Sequence, residues 1–444
     1  MSTIRENIIL NLVMPAAEAV MGTCAMKWRK QILEMNSWSA EQIRAWQNEH
    51  LQAFVRHAYE HTVYYKRQFD SLGIKPEDIQ TIEDLKKLPI IRKQDVIDHF
   101  EELKADNASQ YKHRLFHTGG STGSPMYHLF DEECWGYDTA AKIIAWKTTG
   151  YRYGDPFVAL GSASLFEKKA GIVRRIYDGI RGEIALNCLN LGDELCAKYV
   201  EFIHKKHIRY IYGYAAALYT LALYCKKNKV NLTQIEAAFS TSENLTPLYR
   251  KTIEDTWKCQ VMDCWGCRDA GLATFEVKPG YYYVGYNSIL ESVDEMEDGM
   301  GTMLSTNILN YSMPLLRYEF GDVAQLGKSE EVRDKSGYNG QVVTKVMGRV
   351  SDLIHLRNGH TLTAPGFTIL MLNFDVVAYD IKPLNTDEGI VMRVQKGPDY
   401  DDAQEAKLQK ELARLCGNGA TVRIEYVDGF EQSKNGKHRF FLNE

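Results

Sequence analysis

FHTGGSTGSPMYH, residues 116–128, is the least ordinary stretch of this 444-residue chain. Every residue from 118 to 124 is Gly, Ser or Thr, and Pro125 closes the run. Glycine lets a backbone turn sharply and approach a ligand, and Ser and Thr hydroxyls donate to phosphate oxygens. The same letters also make a plain connector. Two common phosphate loops do not fit. A Walker loop ends in Gly-Lys-Ser/Thr, and no Lys follows these glycines. A dinucleotide fingerprint needs G-x-G-x-x-G, a spacing that Gly119, Gly120 and Gly123 do not have.

Outside that window the chain is ordinary. Hydrophobic residues make up 45% and charged residues 25%, the balance of a soluble globular protein, and the length calls for more than one core. A net charge of −5 argues against nucleic acid as the main partner. Nine cysteines without framework spacing fit reduced thiols in a cytoplasmic protein. The apolar N-terminal run IILNLVMPAAEAVMGTCAM contains Asn11, Pro15 and Glu18. It reads as a packed helix, not as an integral membrane segment or a signal peptide, with peripheral membrane contact left open. Oligomeric state leaves no trace in the sequence.

Helical and apolar patterns alternate through the first two thirds. Residues 40–70, 132–149 and 192–208 have helical spacing, and DPFVALGS (155–162), RYIYGY (209–214), IEAAFSTS and CQVMDCWG read as strands. The alternation predicts an α/β protein with substantial parallel sheet. After about residue 272 the strands shorten. From about Ser351 a last segment holds a charged helix (DDAQEAKLQKELARLCG) and two strands (VMRVQKG, TVRIEYVDG), the content of a small α+β domain. The expected division is therefore 1–350 and 351–444.

The loop TGGSTGxP (118–125) has companions in a fixed order: STSENL (240–245), DCWGCRDAG (263–271), LLRYEFGDVAQL (315–326), GRVSDLIHLRNG (348–359) and SKNGKHRF (433–440). Together they resemble the motifs of the adenylate-forming superfamily of acyl-CoA ligases. YYKRQFDSLGIKPEDIQTIEDLKKLPIIRKQDV and YIYGYAAALYTLALY resemble its phenylacetate–CoA ligase family, the latter being most similar to a capsular-polysaccharide-biosynthesis branch. The resemblance runs from about residue 45 to the end. It implies a large multi-sheet N-terminal domain, a small mobile C-terminal domain, and ATP bound between them with Mg²⁺.

The implied chemistry explains the residue types. A carboxylate resists nucleophiles; joined to AMP it has a good leaving group and passes to coenzyme A. The enzyme must hold a triphosphate and stabilise charge growing on the α-phosphate. By resemblance Thr118, Gly119, Gly120, Ser121, Thr122 and Gly123 cradle the phosphates, and Ser242, Glu243 and Asn244 line the adenine side. Trp265 stacks on adenine beside Gly266, Asp322 accepts from the ribose hydroxyls, and Arg349 reaches the ribose or phosphates. Tyr214 and Ala215 lie near the acid. Ser351 and Asp352 form the hinge, and Lys437 is the catalytic cation. Each has a plain structural reading as well: a turn Asp, a core Trp, a surface Arg, a solvated basic tail.

Three residues depart from the pattern. Asp269 stands where the family has a Mg²⁺-binding Glu, Arg268 replaces a Thr, and Met126 ends the loop where many relatives have Lys. Arg268 is expected to bring the charge missing at Met126 toward the phosphates; the competing expectation is a surface ion pair with Asp269. Cys259, Cys264 and Cys267 invite a zinc reading, but a lone C-x4-C-x2-C reads better as core thiols. Two rivals stay open: transfer to an amine, such as an amino sugar of a surface polysaccharide, and nucleotide binding without turnover. The identity of the acid is not legible.

Overall fold

In the five-residue runs Phe157–Gly161 (β3) and Ala237–Thr241 (β6) every side chain is buried. Strands with that pattern belong inside a parallel sheet covered on both faces. The computed structural model describes residues 4–117, 126–161, 177, 179–188, 191–296, 299–327, 338–349, 353–358, 361–363, 367, 370–371, 374–384, 388–397, 400–417 and 419–430. Around β3 and β6 run Glu183–Asn187 (β4), Tyr210–Tyr214 (β5) and Gln260–Cys267 (β7), in the parallel order β4-β3-β5-β6-β7. The hairpin His113–His117 (β1) and Tyr127–Asp131 (β2) stands apart, with the glycine-rich loop between its strands.

From β7 the same sheet continues in antiparallel fashion through Leu272–Lys278 (β8), Tyr281–Val284 (β9), Ser288–Val293 (β10), Gly301–Asn307 (β11), Tyr318–Gly327 (β12) and Val342–Arg349 (β13). The order is β10-β11-β12-β13-β9-β8-β7-β6-β5-β3-β4, and Ile91–Arg92 pairs with β12 to make twelve strands. A smaller sheet of Val376–Pro383 (β14), Gly389–Lys396 (β15) and Thr421–Tyr426 (β16) carries a helix over Asp402–Cys416. Residues from Ile354 to Cys416 supply a separate core there. The architecture is mixed α/β, with one large sheet and one small one. The sequence pattern marks β15 and β16 but not β14, whose outer residues lack a clean alternation of burial.

Helices form where caps and apolar faces agree. Ala40–His61 (α1) opens on a capping box in which Ser39 accepts from the Gln42 backbone N–H and the Gln42 side chain accepts from that of Ser39. The helical pattern over 40–70 is interrupted at Thr62, which is extended and caps the next helix by accepting from the Tyr65 N–H. Glu132–Lys147 (α2) follows the hairpin. Ala215–Lys227 (α3) and Pro247–Trp257 (α4) connect β5 to β6 and β6 to β7. The N-terminal helical stretch buries Leu10 and Met14 against Tyr153 and Phe157 while Ile4, Leu12 and Val20 are exposed. Among the described residues no helix is long and apolar enough to cross a membrane.

One consequence of the register positions the site. Thr241 of β6 is the register partner of both Tyr214 of β5 and Cys264 of β7. The chain therefore leaves β5 and β6 at one edge, where β7 runs on to Cys267 and where open α/β sheets place their ligands.

Candidate active site

At that edge Tyr214 and Ala215 are buried and begin α3. Ser242 adopts a left-handed backbone (φ +65°), which turns the chain sharply after β6. Glu243 accepts from the Ala216 N–H at 2.8 Å. Its anion thereby sits at the positive end of α3 and ties two of the segments together. Ser242 and Asn244 are exposed.

Trp265 and Gly266 pair with Thr274 and Ala273 of β8. A Cβ on Gly266 would meet the Leu272 carbonyl oxygen at 2.2 Å, so only glycine fits this approach. Trp265 donates its indole N–H to Asp322 Oδ2 at 2.8 Å, and both residues are 8% exposed. The ring lies among Tyr282 and Phe320. Little of it remains open for stacking, and its polar edge is committed to holding Asp322. Asp322 faces Arg349 directly across β12 and β13.

The turn after β7 carries the two departures. Gly271, at φ +60°, accepts at its carbonyl from Ser288 and Asn307, and Ala270 accepts from Ser305. Three side chains thus pin the turn. Asp269 is held at both oxygens: Cys267 donates to Oδ1 at 2.7 Å and the Tyr318 hydroxyl to Oδ2 at 2.8 Å. Each carboxylate oxygen retains a lone pair, so the group can still accept from a metal-bound water or meet a cation. Arg268 forms no ion pair with Asp269; its guanidinium lies 4.5 Å from the centre of the Phe116 ring and 5.2 Å from that of Trp135. Desolvation lowers its pKa, opposed by the carboxylates of Asp138 and Asp269. Met126 is fully buried in the main core, so nothing at that position projects a cation.

Sequence reasoning missed four residues here. Tyr318 orients Asp269. His128 is 3% exposed, and neither ring nitrogen has a partner among the described residues. Burial pushes its pKa down to about 4, against the attraction of Asp269. Asp138 and Lys142, on α2, add charges of opposite sign near Arg268 and Cys264. Only the unusual charge on an otherwise apolar helix face hinted at the last two.

Cys259 and Cys267 are buried and Cys264 half-buried, with burial pushing the Cys264 thiol up to about 12. Among the described residues no three His, Cys, Asp or Glu side chains converge as metal ligands. Thr118, Gly119, Gly120, Ser121, Thr122, Gly123, Ser351, Asp352 and Lys437 lie outside the described residues, as does the side chain of Arg349.

No family model matches the chain. It is 22% identical over 408 residues to Protein CapK of Staphylococcus aureus, covering 89% of this chain and 88% of that protein. It is 22% identical over 432 residues to the phenylacetate-coenzyme A ligase of Aromatoleum evansii, covering 90% and 94%. Among solved structures, 2-hydroxyisobutyryl-CoA ligase in its postadenylation state superposes with a TM-score of 0.74 at 17% identity, over 93% of this chain and 92% of that one. The chain therefore has the fold of the adenylate-forming CoA ligases and is similar along 89–90% of its length to phenylacetate-coenzyme A ligase and CapK.

Proposed function

We propose that this protein is an adenylate-forming acid–CoA ligase. It uses MgATP to convert a carboxylic acid to its acyl-adenylate, then transfers the acyl group to coenzyme A and releases AMP. The observation that carries the reading is the convergence of Asp322, held by Trp265, with the pinned Asp269 turn at the edge of the parallel strands. A buried carboxylate with a fixed orientation suits the ribose hydroxyls, and a second carboxylate gripped at both oxygens suits the metal on the triphosphate.

In this reading Trp265 serves the nucleotide chiefly by orienting Asp322. Arg268, with no acceptor of its own among the described residues, faces the negative charge that the substrates bring. Residues 118–123 hold the β- and γ-phosphates, and Arg349 reaches the ribose or phosphates from the strand beside Asp322. Lys437 stabilises charge developing between carboxylate and α-phosphate. The segment after residue 350 turns about Ser351 and Asp352 between the two half-reactions, making 1–350 and 351–444 the working domains. The separate core from Ile354 onward supports that division.

Acceptor-dependent AMP release tests the second half-reaction. The reading predicts that coenzyme A accelerates AMP formation in the presence of ATP and acid, with the thioester as product. Stimulation by amino sugars but not by coenzyme A would replace the thiol with an amine. ATP binding without AMP formation under any acceptor would leave a nucleotide-binding protein.

A further inference from the structure

Residues 4–21 form one continuous helical stretch whose polarity is inverted. Both of its acids face inward. Glu6 is buried and accepts from Lys147 Nζ at 3.3 Å, and Glu18 is buried and accepts from the Met26 backbone N–H at 2.9 Å. The outward face is apolar. Ile4, Ile8, Leu12 and Val20 are 82%, 50%, 68% and 78% exposed, with Ala16 exposed in the same row. The adjoining row of Asn7, Asn11, Pro15 and Ala19 is exposed as well. An ordinary surface helix shows water the opposite pattern. Residues four apart share a helix face, but in a regular α-helix such a row drifts by about 40° per step. The wider π turn at Ile9–Val13 winds less per residue and takes part of that drift back, which keeps the apolar row on one side.

The charges at the two ends of the row decide what covers it. Arg5 is exposed at the first turn, where its guanidinium also donates to the Gly154 carbonyl at 3.4 Å. Lys112 is exposed at the last turn, its ammonium donating to the carbonyls of Met21 and Gly22. A second copy of the chain seated on the row would bring cation against cation. Parallel pairing sets Arg5 on Arg5 and Lys112 on Lys112, and antiparallel pairing sets Arg5 on Lys112. The acids that could offset this are turned inward. A bilayer with anionic headgroups has neither conflict: it takes apolar side chains at its acyl boundary and flanking cations at its phosphates.

We propose that residues 4–21 bind in the plane of an anionic lipid surface, with Ile4, Ile8, Leu12 and Val20 in the acyl boundary and Arg5 and Lys112 among the headgroups. Four apolar side chains and two cations give reversible attachment, and the buried face stays packed on the protein. The proposal is independent of the reaction at the cleft.

The test is cosedimentation of the whole chain with two vesicle preparations, pure phosphatidylcholine and an equimolar mixture of phosphatidylcholine and phosphatidylglycerol. Wild type should partition at least about tenfold more strongly onto the mixed vesicles, and added salt should weaken that binding. Ile8→Gln combined with Leu12→Gln should lower it by about tenfold or more, and Arg5→Gln should narrow the difference between the two lipids. The substituted side chains face solvent, so thermal unfolding of the variants should match wild type. Val20→Gln, in the last turn, gives a second apolar variant with a smaller loss in the same direction. No binding to the mixed vesicles, equal binding to both preparations, or undiminished binding by the folded apolar variants overturns the proposal. A wild-type dimer in sedimentation equilibrium that Ile8→Gln with Leu12→Gln converts to monomer also overturns it, since the row would then be covered by a second copy.

Discussion

Trp265 Nε1 and Asp322 Oδ2 lie 2.8 Å apart although 57 residues separate them in sequence. The bond joins the end of the parallel half of the sheet to β12 in its antiparallel half, and it fixes a buried carboxylate in one orientation. Trp265→Phe keeps the aromatic bulk and removes the donor. We expect ATP affinity to fall about tenfold and folding stability to drop by about 1 kcal/mol. Calorimetry with ATP alone and denaturant unfolding separate the two effects. Unchanged ATP affinity would mean that the Asp322 orientation is irrelevant to the nucleotide.

The grip on Asp269 predicts a metal phenotype. Tyr318→Phe removes the donor to Oδ2 and should raise the Mg²⁺ concentration needed for half-maximal ATP binding severalfold. Asp269→Asn should raise it further and cut pyrophosphate exchange by about tenfold or more. If Arg268 faces the phosphates as proposed, Arg268→Thr should make ATP binding more dependent on Mg²⁺, because a fixed cation is lost. Identical Mg²⁺ titrations for wild type and Asp269→Asn would remove the metal from this turn.

His128 gives the fold a pH dependence of known sign. Its folded pKa is lowered from 6.5 to about 4, chiefly by burial. Above pH 6.5 the ring is neutral in both states and its contribution is complete. As the pH falls toward 4 the unfolded chain takes up a proton that the folded one refuses, so stability is lost. An offset of this size is worth about 3 kcal/mol. His128→Phe should flatten the fall in stability between pH 6.5 and 4 measured by denaturant unfolding. A slope equal to that of wild type would show that the imidazole is charged or solvated in the folded state.

Much of the fold is legible in the sequence because its signals are local. The apolar runs at 157–161 and 237–241 mark strands buried on both faces, and STSENL and DCWGCRDAG mark the segments that leave the same sheet edge. What escapes depends on tertiary neighbours. Tyr318 meets Asp269 across 49 residues, and nothing in RYEFGD announces that its hydroxyl serves another motif. Asp138 and Lys142 stand out only as charges on an apolar helix face; the sequence does not show that Lys142 lies over the rings of Trp146 and Tyr212. The motif around Trp265 points to its ring, whereas its N–H makes the decisive contact. The hydrophobic pattern cannot distinguish those uses.

The most direct test of the account is acid-dependent exchange of pyrophosphate into ATP by the purified protein, run beside Lys437→Ala. Adenylation predicts exchange that requires both acid and Mg²⁺ in the wild type. The variant should lose about 10²-fold or more of it while still forming thioester from supplied acyl-adenylate and coenzyme A. Exchange that proceeds without acid, or that survives Lys437→Ala undiminished, would contradict the account.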